Sequence, residues 1–244
     1  MNKKNKKTVL FTAWIGILVL LSVGLWFMNR TPGPDNTPPP TPPPPPGDVL
    51  KSAWPTILRT AASPPCGNAG ARYTMVEFGD FQCPQCGKME PEIFGFIEKN
   101  QNQVNLYFVH RPFALIHKWA IGASETAQIA AKYGKFWPMY QILYKNQDNL
   151  EPGFMSTYAN QVGISTANFN KDWAPHTYLA QINASSRFCD KLGVISTPTI
   201  CLRDNKTGVI TTAVGRPDIQ KLLKSLIWAK PGSDVPAPVT ASPG

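Results

Sequence analysis

The chain has 244 residues, enough for one large domain or two small ones. Its formal net charge is +9, but residues 1–30 carry five of the basic side chains and no acidic ones. The remaining charge is mild and scattered, without a basic stripe interleaved with aromatic residues, so composition argues against a nucleic-acid partner.

Residues 9–28 form an uncharged, predominantly apolar run. As a helix this run would be roughly 30 Å long, which matches the hydrocarbon core of a bilayer. The alternative, a cleaved signal peptide, is disfavoured because the run is long and no small-x-small cleavage site precedes Arg30. More lysines precede the run than basic residues follow it, so the N-terminus is expected to be cytoplasmic and everything from Thr31 onward extracytoplasmic. We therefore predict that residues 1–30 are a cytoplasmic tip and a single-pass transmembrane anchor.

Residues 31–47 are predicted to be a proline-rich linker, because ten of the 25 prolines lie between Pro32 and Pro46. Most positions there lack an N–H group, which favours an extended polyproline spacer over a helix or a strand. A ligand for a proline-reading domain is the alternative, since the segment contains Pro-x-x-Pro spacings. At the other end, residues 231–244 are predicted to be a disordered tail.

Residues 48–230 are predicted to form one α/β domain. The apolar pattern predicts strands at 72–79 and 104–109, with a helix between them from Pro84 to about Asn100. Residues 113–192 form one large insertion with helical signals at 119–132, 135–146, 154–162 and 178–192. Its aromatic residues, such as Tyr140, are interpreted as core. The remaining elements are predicted at 48–62 (helix, with Asp48 as its N-cap), 196–202 (turn and strand), 209–214 (strand) and 218–228 (helix).

A Cys-x-x-Cys motif, Cys83-Pro84-Gln85-Cys86, stands between the first predicted strand and its helix. This arrangement places two thiols at a helix N-terminus, where unpaired N–H groups and the helix dipole stabilise a thiolate. Pro84 suits the first helical position, because its φ is preset and the helix does not need its N–H. We expect Cys83 to be an exposed nucleophile and Cys86 to be its buried partner.

Two segments resemble DsbA-like thiol-disulfide oxidoreductases of the thioredoxin superfamily: Glu-Phe-Gly-Asp-Phe-Gln-Cys-Pro-Gln-Cys at 77–86 and Gly-Val-Ile-Ser-Thr-Pro-Thr at 193–199. The predicted strand at 104–109 and the segment Gly-Lys-Phe-Trp-Pro-Met at 134–139 are similar to segments of the same class. The resemblance covers about residues 68–225. It implies an α/β thioredoxin fold with a helical insertion, here preceded by the predicted transmembrane helix and proline-rich linker.

The same resemblance implies roles for several residues. The Thr197–Pro198 peptide bond is expected to be cis, and this loop is expected to bind substrate peptide through the free backbone of Thr197. Pro84 and Gln85 are expected to belong to the same substrate site.

Glu77 lies six residues before Cys83, the offset at which thioredoxin-like proteins bury an acidic residue under the cysteines. A buried carboxyl would have a raised pKa and could exchange a proton with Cys86, whereas the alternative is a surface glutamate at a strand edge.

The Cys-Pro-x-Cys order resembles that of the oxidants of this class. Together with the expected location, the resemblance favours an extracytoplasmic disulfide oxidase, with a thiol reductase or a disulfide isomerase as the alternative. Expected partners are reduced or misoxidised secreted proteins and a quinone-linked membrane protein that reoxidises Cys83. We expect the chain to be a monomer that needs no cofactor.

A metal-binding module is the alternative from a different class. It would use Cys83 and Cys86, with His110, His117 or His176 as further ligands. Structural zinc usually needs two closely spaced ligand pairs, and the second pair is missing, so we expect no metal.

Three further cysteines, Cys66, Cys189 and Cys201, complete the odd count of five. Cys189 and Cys201 flank the Thr197–Pro198 turn, and a helix packed beside the following strand would bring them together, so they are a candidate structural disulfide. Pairing of Cys66 with either of them, or three free thiols, are the alternatives.

Overall fold

The structure is a computed structural model that describes residues 42–228. The predicted anchor at 9–28, most of the linker at 31–47 and the tail at 231–244 lie outside the described residues. Within 42–228, no helix has the length and apolar character needed to cross a membrane.

The described part of the chain begins with alternating helices and strands, continues with a block of helices and ends with two strands and a helix. In chain order they are α1 (Gly47–Thr60), β1 (Tyr73–Gly79), α2 (Pro84–Asn100), β2 (Val104–His110), α3 (Ala120–Lys132), α4 (Phe136–Lys145), a 3₁₀ turn (Gln147–Asn149), α5 (Pro152–Gln161), α6 (Thr166–Trp173), α7 (Leu179–Leu192), β3 (Thr199–Asp204), β4 (Ile210–Val214) and α8 (Gly215–Trp228).

The four described strands form one sheet in the order β2-β1-β3-β4. β1 pairs parallel with β2 and antiparallel with β3, and β3 pairs antiparallel with β4. A parallel pair needs a crossover connection, which α2 supplies between β1 and β2. The helices α3 to α7 enter the chain between β2 and β3, so the α/β class and the helical insertion predicted from the sequence are confirmed.

All seven residues of β1 are buried, because helices cover both faces of this central strand. Successive side chains still point to opposite faces. Met75 packs in a cluster with residues of α2 and α8, whereas Val76 and Phe78 pack in a cluster with residues of α1 and α7. Glu77 alternates with Val76 and Phe78, so it faces the side of the sheet on which α2 lies.

Three details differ from the sequence-based expectations. The first helix begins at Gly47 and its N-cap residue is Pro46, without a side-chain cap, so the expected capping role of Asp48 is wrong. Asp48 instead lies in the first turn, where its charge still complements the helix dipole. The last helix begins at Gly215, three residues earlier than expected. Sequence analysis also missed α6, whose start is marked by Ser165, a side-chain cap that accepts a hydrogen bond from Asn168 N.

Candidate active site

The two cysteines of the motif lie at the start of α2, directly after the buried strand β1. Cys83 is the N-cap residue, in an extended conformation, and Pro84 occupies the first turn of the helix. Pro84 and Gln85 are exposed, whereas Cys86 is fully buried. Cys83 is only 7% exposed, so the expectation of an exposed nucleophile is wrong. Cys83 is nevertheless the more accessible of the two thiols.

The surroundings of the two thiols separate their pKa values. The hydrogen bond from Cys86 has the largest effect on the pKa of Cys83. Together with hydrogen bonds from the Thr197 side chain and from backbone N–H groups, it lowers this pKa to about 6, although burial acts in the opposite direction. Burial and the adjacent Cys83 raise the pKa of Cys86 well above its ordinary value. At neutral pH, the reduced site therefore holds a thiolate at Cys83 and a thiol at Cys86.

The loop before β3 covers Cys83. The Thr197–Pro198 peptide bond is cis, which confirms the conformation implied by the resemblance. Cys83 Sγ lies 3.4 Å from the Thr197 carbonyl oxygen, and both Thr197 and Pro198 are buried. This contact brings the expected substrate loop and the nucleophile together, and it explains why Cys83 is less exposed than expected.

Glu77 is fully buried on β1, opposite Phe108 of β2 and Ile200 of β3. The surface alternative is therefore excluded. Burial is the main cause that raises the pKa of Glu77 to about 7, while hydrogen bonds from Tyr140 and Tyr144 act in the opposite direction. The charge of Glu77 also raises the pKa of Cys86, so the carboxyl and the buried thiol interact.

Asp80, in the turn between β1 and α2, is a buried carboxyl that sequence analysis did not single out. It accepts hydrogen bonds of 2.8 Å from the backbone N–H groups of Gln82 and Phe113, and it lies 2.7 Å from His117 Nδ1. These bonds tie the active-site turn to the segment that follows β2. The Gly-Asp turn signal marks this position in the sequence, but two partners of Asp80, Phe113 and His117, lie more than 30 residues away.

Two glutamine side chains also fix this turn. Gln147, in the 3₁₀ turn of the insertion, donates to the carbonyl oxygens of Phe81 and Cys83 at 2.7 and 2.9 Å. Gln82 accepts a 2.6 Å hydrogen bond from Trp119 N. Gly87 leaves room for Gln147, because a Cβ atom there would lie 2.0 Å from Gln147 Oε1. The helical insertion therefore holds the backbone on which Cys83 is placed.

The three histidines do not gather around the cysteines. His110 is buried against Gln128, His117 pairs with Asp80, and His176 contacts Glu125 at 2.8 Å. Burial lowers the pKa of His110 to about 4. Across residues 42–228, no group of three or more His, Cys, Asp or Glu side chains is placed to hold a metal ion.

The other three cysteines are unbonded in the structure. Cys189 on α7 and Cys201 on β3 are both fully buried in one hydrophobic cluster, and Cys189 contributes to the raised pKa of Cys201. Cys66 packs against the two other clusters. The structure thus places Cys189 and Cys201 in one cluster and Cys66 outside it, while the disulfide itself stays a prediction.

Comparison with known proteins agrees with this site and fold. The sequence model of the family described as thioredoxin matches residues 59–224, which is more than half of the chain. The chain belongs to the thioredoxin family. Its fold resembles that of the thiol-disulfide exchange protein α-DsbA2 from Wolbachia pipientis, with a TM-score of 0.60 and 19% sequence identity over 74% of this chain and 97% of that one. This member of the thioredoxin family therefore has a DsbA-like fold.

Two curated relatives are similar in sequence. Disulfide bond formation protein D of Bacillus subtilis is 26% identical over 173 residues, which cover 65% of this chain and 74% of that protein. The Na(+)/H(+) antiporter NhaA 3 of Salinispora tropica is 32% identical over 133 residues, or 54% of this chain. The chain spans about a fifth of the length of that antiporter. The similarity to the antiporter therefore concerns a small part of that protein.

The hydroxyl groups of Tyr140 and Tyr144 are the main feature of the site that sequence analysis missed. Tyr140 is interpreted there as core, and it is indeed fully buried. Its hydroxyl nevertheless lies 2.7 Å from the Glu77 carboxyl. The spacing of four residues places the two tyrosines on one helix face, but no sequence signal shows that this face meets Glu77.

Proposed function

We propose that this chain is an extracytoplasmic thiol-disulfide oxidoreductase that donates disulfides to secreted or envelope proteins through Cys83 and Cys86. The observation that carries the proposal is the placement of Cys83 at the N-terminus of α2, one turn before the fully buried Cys86 and against the cis Thr197–Pro198 loop. The two thiol pKa values agree with it, since that of Cys83 is lowered to about 6 and that of Cys86 is raised. A thiol with a low pKa is a good leaving group in disulfide exchange.

The proposed reaction starts from a Cys83–Cys86 disulfide. A substrate thiolate attacks Cys83 Sγ, the bond between the two cysteines breaks, and Cys86 leaves as a thiolate that takes a proton from Glu77. The second substrate thiolate then attacks the substrate sulfur of the mixed disulfide, and Cys83 leaves as a thiolate. The substrate loses two electrons, and the enzyme dithiol gains them.

Stabilisation of the Cys83 thiolate favours the reduced form of the enzyme, and thereby favours oxidation of the substrate. This supports an oxidase over a reductase or an isomerase. The names of two relatives, a disulfide bond formation protein and a thiol-disulfide exchange protein, agree in kind with this chemistry. The substrate is expected to lie as an extended strand beside Thr197 and Pro198, next to the exposed Pro84 and Gln85.

The proposed location follows from the apolar run at 9–28 and the lysines before it. An oxidising compartment outside the cytoplasm suits disulfide donation. Because each reaction leaves the chain reduced, a membrane partner must take up the two electrons, and a quinone-linked oxidase would do so beside the proposed anchor.

The test is transfer of a disulfide from the oxidised full-length chain to a reduced peptide with two cysteines, at pH 7. We expect oxidation of the peptide, no oxidation by Cys83→Ser, and a mixed disulfide on Cys83 that accumulates in Cys86→Ser. The reduction potential of the pair is expected to lie above about −180 mV, the value typical of protein disulfide isomerase. A potential near −270 mV, typical of thioredoxin, without net oxidation of the peptide would contradict the oxidase proposal and indicate a reductase.

A further inference from the structure

We infer that Tyr140 and Tyr144 are positioning residues for proton transfer: their hydroxyl groups hold the carboxylate form of Glu77, so that this buried side chain can take a proton from Cys86 as well as give one. The inference rests on the proposed function, because the proton transfer matters only during disulfide exchange.

The two tyrosines bind different oxygens of one carboxyl group. Tyr140 Oη lies 2.7 Å from Glu77 Oε2, and Tyr144 Oη lies 3.3 Å from Glu77 Oε1. Glu77 and Tyr140 are fully buried, and Tyr144 is 5% exposed. A carboxylate without partners in such a place would be strongly destabilised. The two hydroxyl groups are therefore the donors that make the charged form of Glu77 attainable.

The surrounding side chains do not offer Glu77 a compensating cation. In residues 42–228, Glu77 has no salt bridge. Among the described residues, the titratable groups with the largest effects on Glu77, Cys86 and the two tyrosines are acidic: Cys83 at the N-cap of α2, Cys86 and Glu90 on α2, Asp80 in the preceding turn, and the tyrosines of α4 themselves. Negative charge on any of them opposes ionisation of Glu77. The hydrogen bonds from the tyrosine hydroxyls therefore favour the carboxylate form of Glu77.

Packing fixes the two phenol groups in place. Their rings meet edge to face with centroids 4.8 Å apart, and both contact the ring of Phe81. A Cβ atom at Gly79 would lie 2.8 Å from Tyr144 Oη and 2.4 Å from the Phe108 ring, so only glycine leaves space for this arrangement. Burial also raises the pKa of both tyrosines well above the ordinary value, so that they remain hydrogen-bond donors.

The carboxylate is needed when the enzyme is reoxidised. The Cys83 thiolate attacks one sulfur of an oxidant disulfide, and the other sulfur leaves as a thiolate. Cys83 is then in a mixed disulfide with the remaining half of the oxidant. Cys86 must then lose its proton to attack Cys83 Sγ, and the carboxylate of Glu77 accepts that proton while the second oxidant thiolate leaves. Combined Tyr140→Phe and Tyr144→Phe substitutions would keep Glu77 protonated, and Cys86 would then lack the Glu77 carboxylate as its base.

The experiment follows reoxidation of the reduced full-length chain by glutathione disulfide between pH 5 and 9, with the resolution of the mixed disulfide measured by rapid quench. In the wild type, we expect the rate of resolution to rise with a midpoint near 7. Tyr140→Phe should move the midpoint upward by about one pH unit, because a hydrogen bond to a charged group is lost. Tyr144→Phe should move it less, since its hydrogen bond is longer. The infrared band of the Glu77 carboxyl should titrate with the same midpoints.

Tyr158→Phe is the matched control, because it removes a buried tyrosine hydroxyl of the insertion that donates to Asn149 O and does not contact Glu77. Glu77→Gln should remove the transition near pH 7. The inference is overturned if the Tyr140→Phe and Tyr144→Phe profiles coincide with those of the wild type and of Tyr158→Phe while the chain still exchanges disulfides. Loss of exchange in the wild type would instead overturn the proposed function, and the inference with it.

Discussion

At the residue scale, Cys83 combines shielding with an ionised sulfur. Its pKa is about 6, because donors from Cys86, Thr197 and the first turn of α2 outweigh the effect of burial. Ordinary cysteine has a pKa of about 8.5. The residue identities predicted which thiol is the nucleophile, since only one stands at the N-terminus of the helix. The degree of shielding was not predictable, because it depends on a loop more than 100 residues away.

The low pKa of Cys83 makes the stability of the reduced protein depend on pH. The folded state binds fewer protons at this group than the unfolded chain, so the stabilisation is fully present above the unfolded pKa of about 8.5. It is lost as the pH falls through about 6. We expect the free energy of unfolding of the reduced form to increase relative to that of the oxidised form as the pH is raised from 5 to 9. Urea denaturation of both forms measures this difference.

Thiolate absorbance of the reduced chain provides the direct measurement, with an expected midpoint near 6. Thr197→Val removes the side-chain donor and should raise the midpoint, whereas Thr166→Val, at a distant exposed position on α6, should leave it unchanged. A wild-type midpoint above 8 would contradict the assignment of Cys83 as a stabilised thiolate.

At the scale of elements, the helical insertion does more than enlarge the domain. Its 3₁₀ turn places Gln147 on the carbonyl groups before α2, and α4 places two tyrosine hydroxyls on a carboxyl of β1. Periodicity predicted the helices of the insertion except α6, which is short and polar. It did not predict which helix face meets the active site, because that depends on packing between segments far apart in the chain.

The hydrophobic cluster that Cys189 of α7 shares with Cys201 of β3 leads to a prediction about these two cysteines. In chain prepared under oxidising conditions, we expect peptide mapping without reductant to recover these two cysteines linked. The closed loop is about a dozen residues long, and such a crosslink typically stabilises a fold by about 3 kcal/mol. Replacing both cysteines by alanine should lower the free energy of unfolding by that order.

Cys66→Ser serves as the control, since Cys66 packs outside the cluster that holds the pair. This variant should keep the link between Cys189 and Cys201. Quantitative alkylation of both cysteines in the oxidised, unfolded wild type would show that they are free thiols.

At the scale of the whole molecule, the proposed role depends on where the domain resides. The apolar run at 9–28 has the length of a membrane span, and we propose that it anchors the chain. We expect the full-length chain to stay with membranes after carbonate extraction, and a chain without residues 1–30 to be released. A maleimide that cannot cross the cytoplasmic membrane should label Cys83 in intact cells under mild reduction.

Two controls accompany the labelling experiment. Cys83→Ser should lose most of the label, because maleimides react with thiolates and the pKa of each of the other four cysteines is raised. Disrupted cells should show no more Cys83 labelling than intact ones. Labelling that appears only after disruption would place the domain in the cytoplasm and contradict the proposed location.

The class of fold and the reacting pair could be predicted from the amino-acid sequence alone. An apolar strand, a Gly-Asp turn and Cys-Pro-Gln-Cys at a helix start are local patterns, and local patterns specify local structure. The tertiary structure decided which groups surround that pair: Thr197 over Cys83, Asp80 against His117, and the two tyrosines on Glu77. These contacts join residues from 37 to 114 positions apart. Burial and hydrogen bonding at such distances arise only when the helices pack on the sheet, and they set the proton affinities on which the chemistry depends.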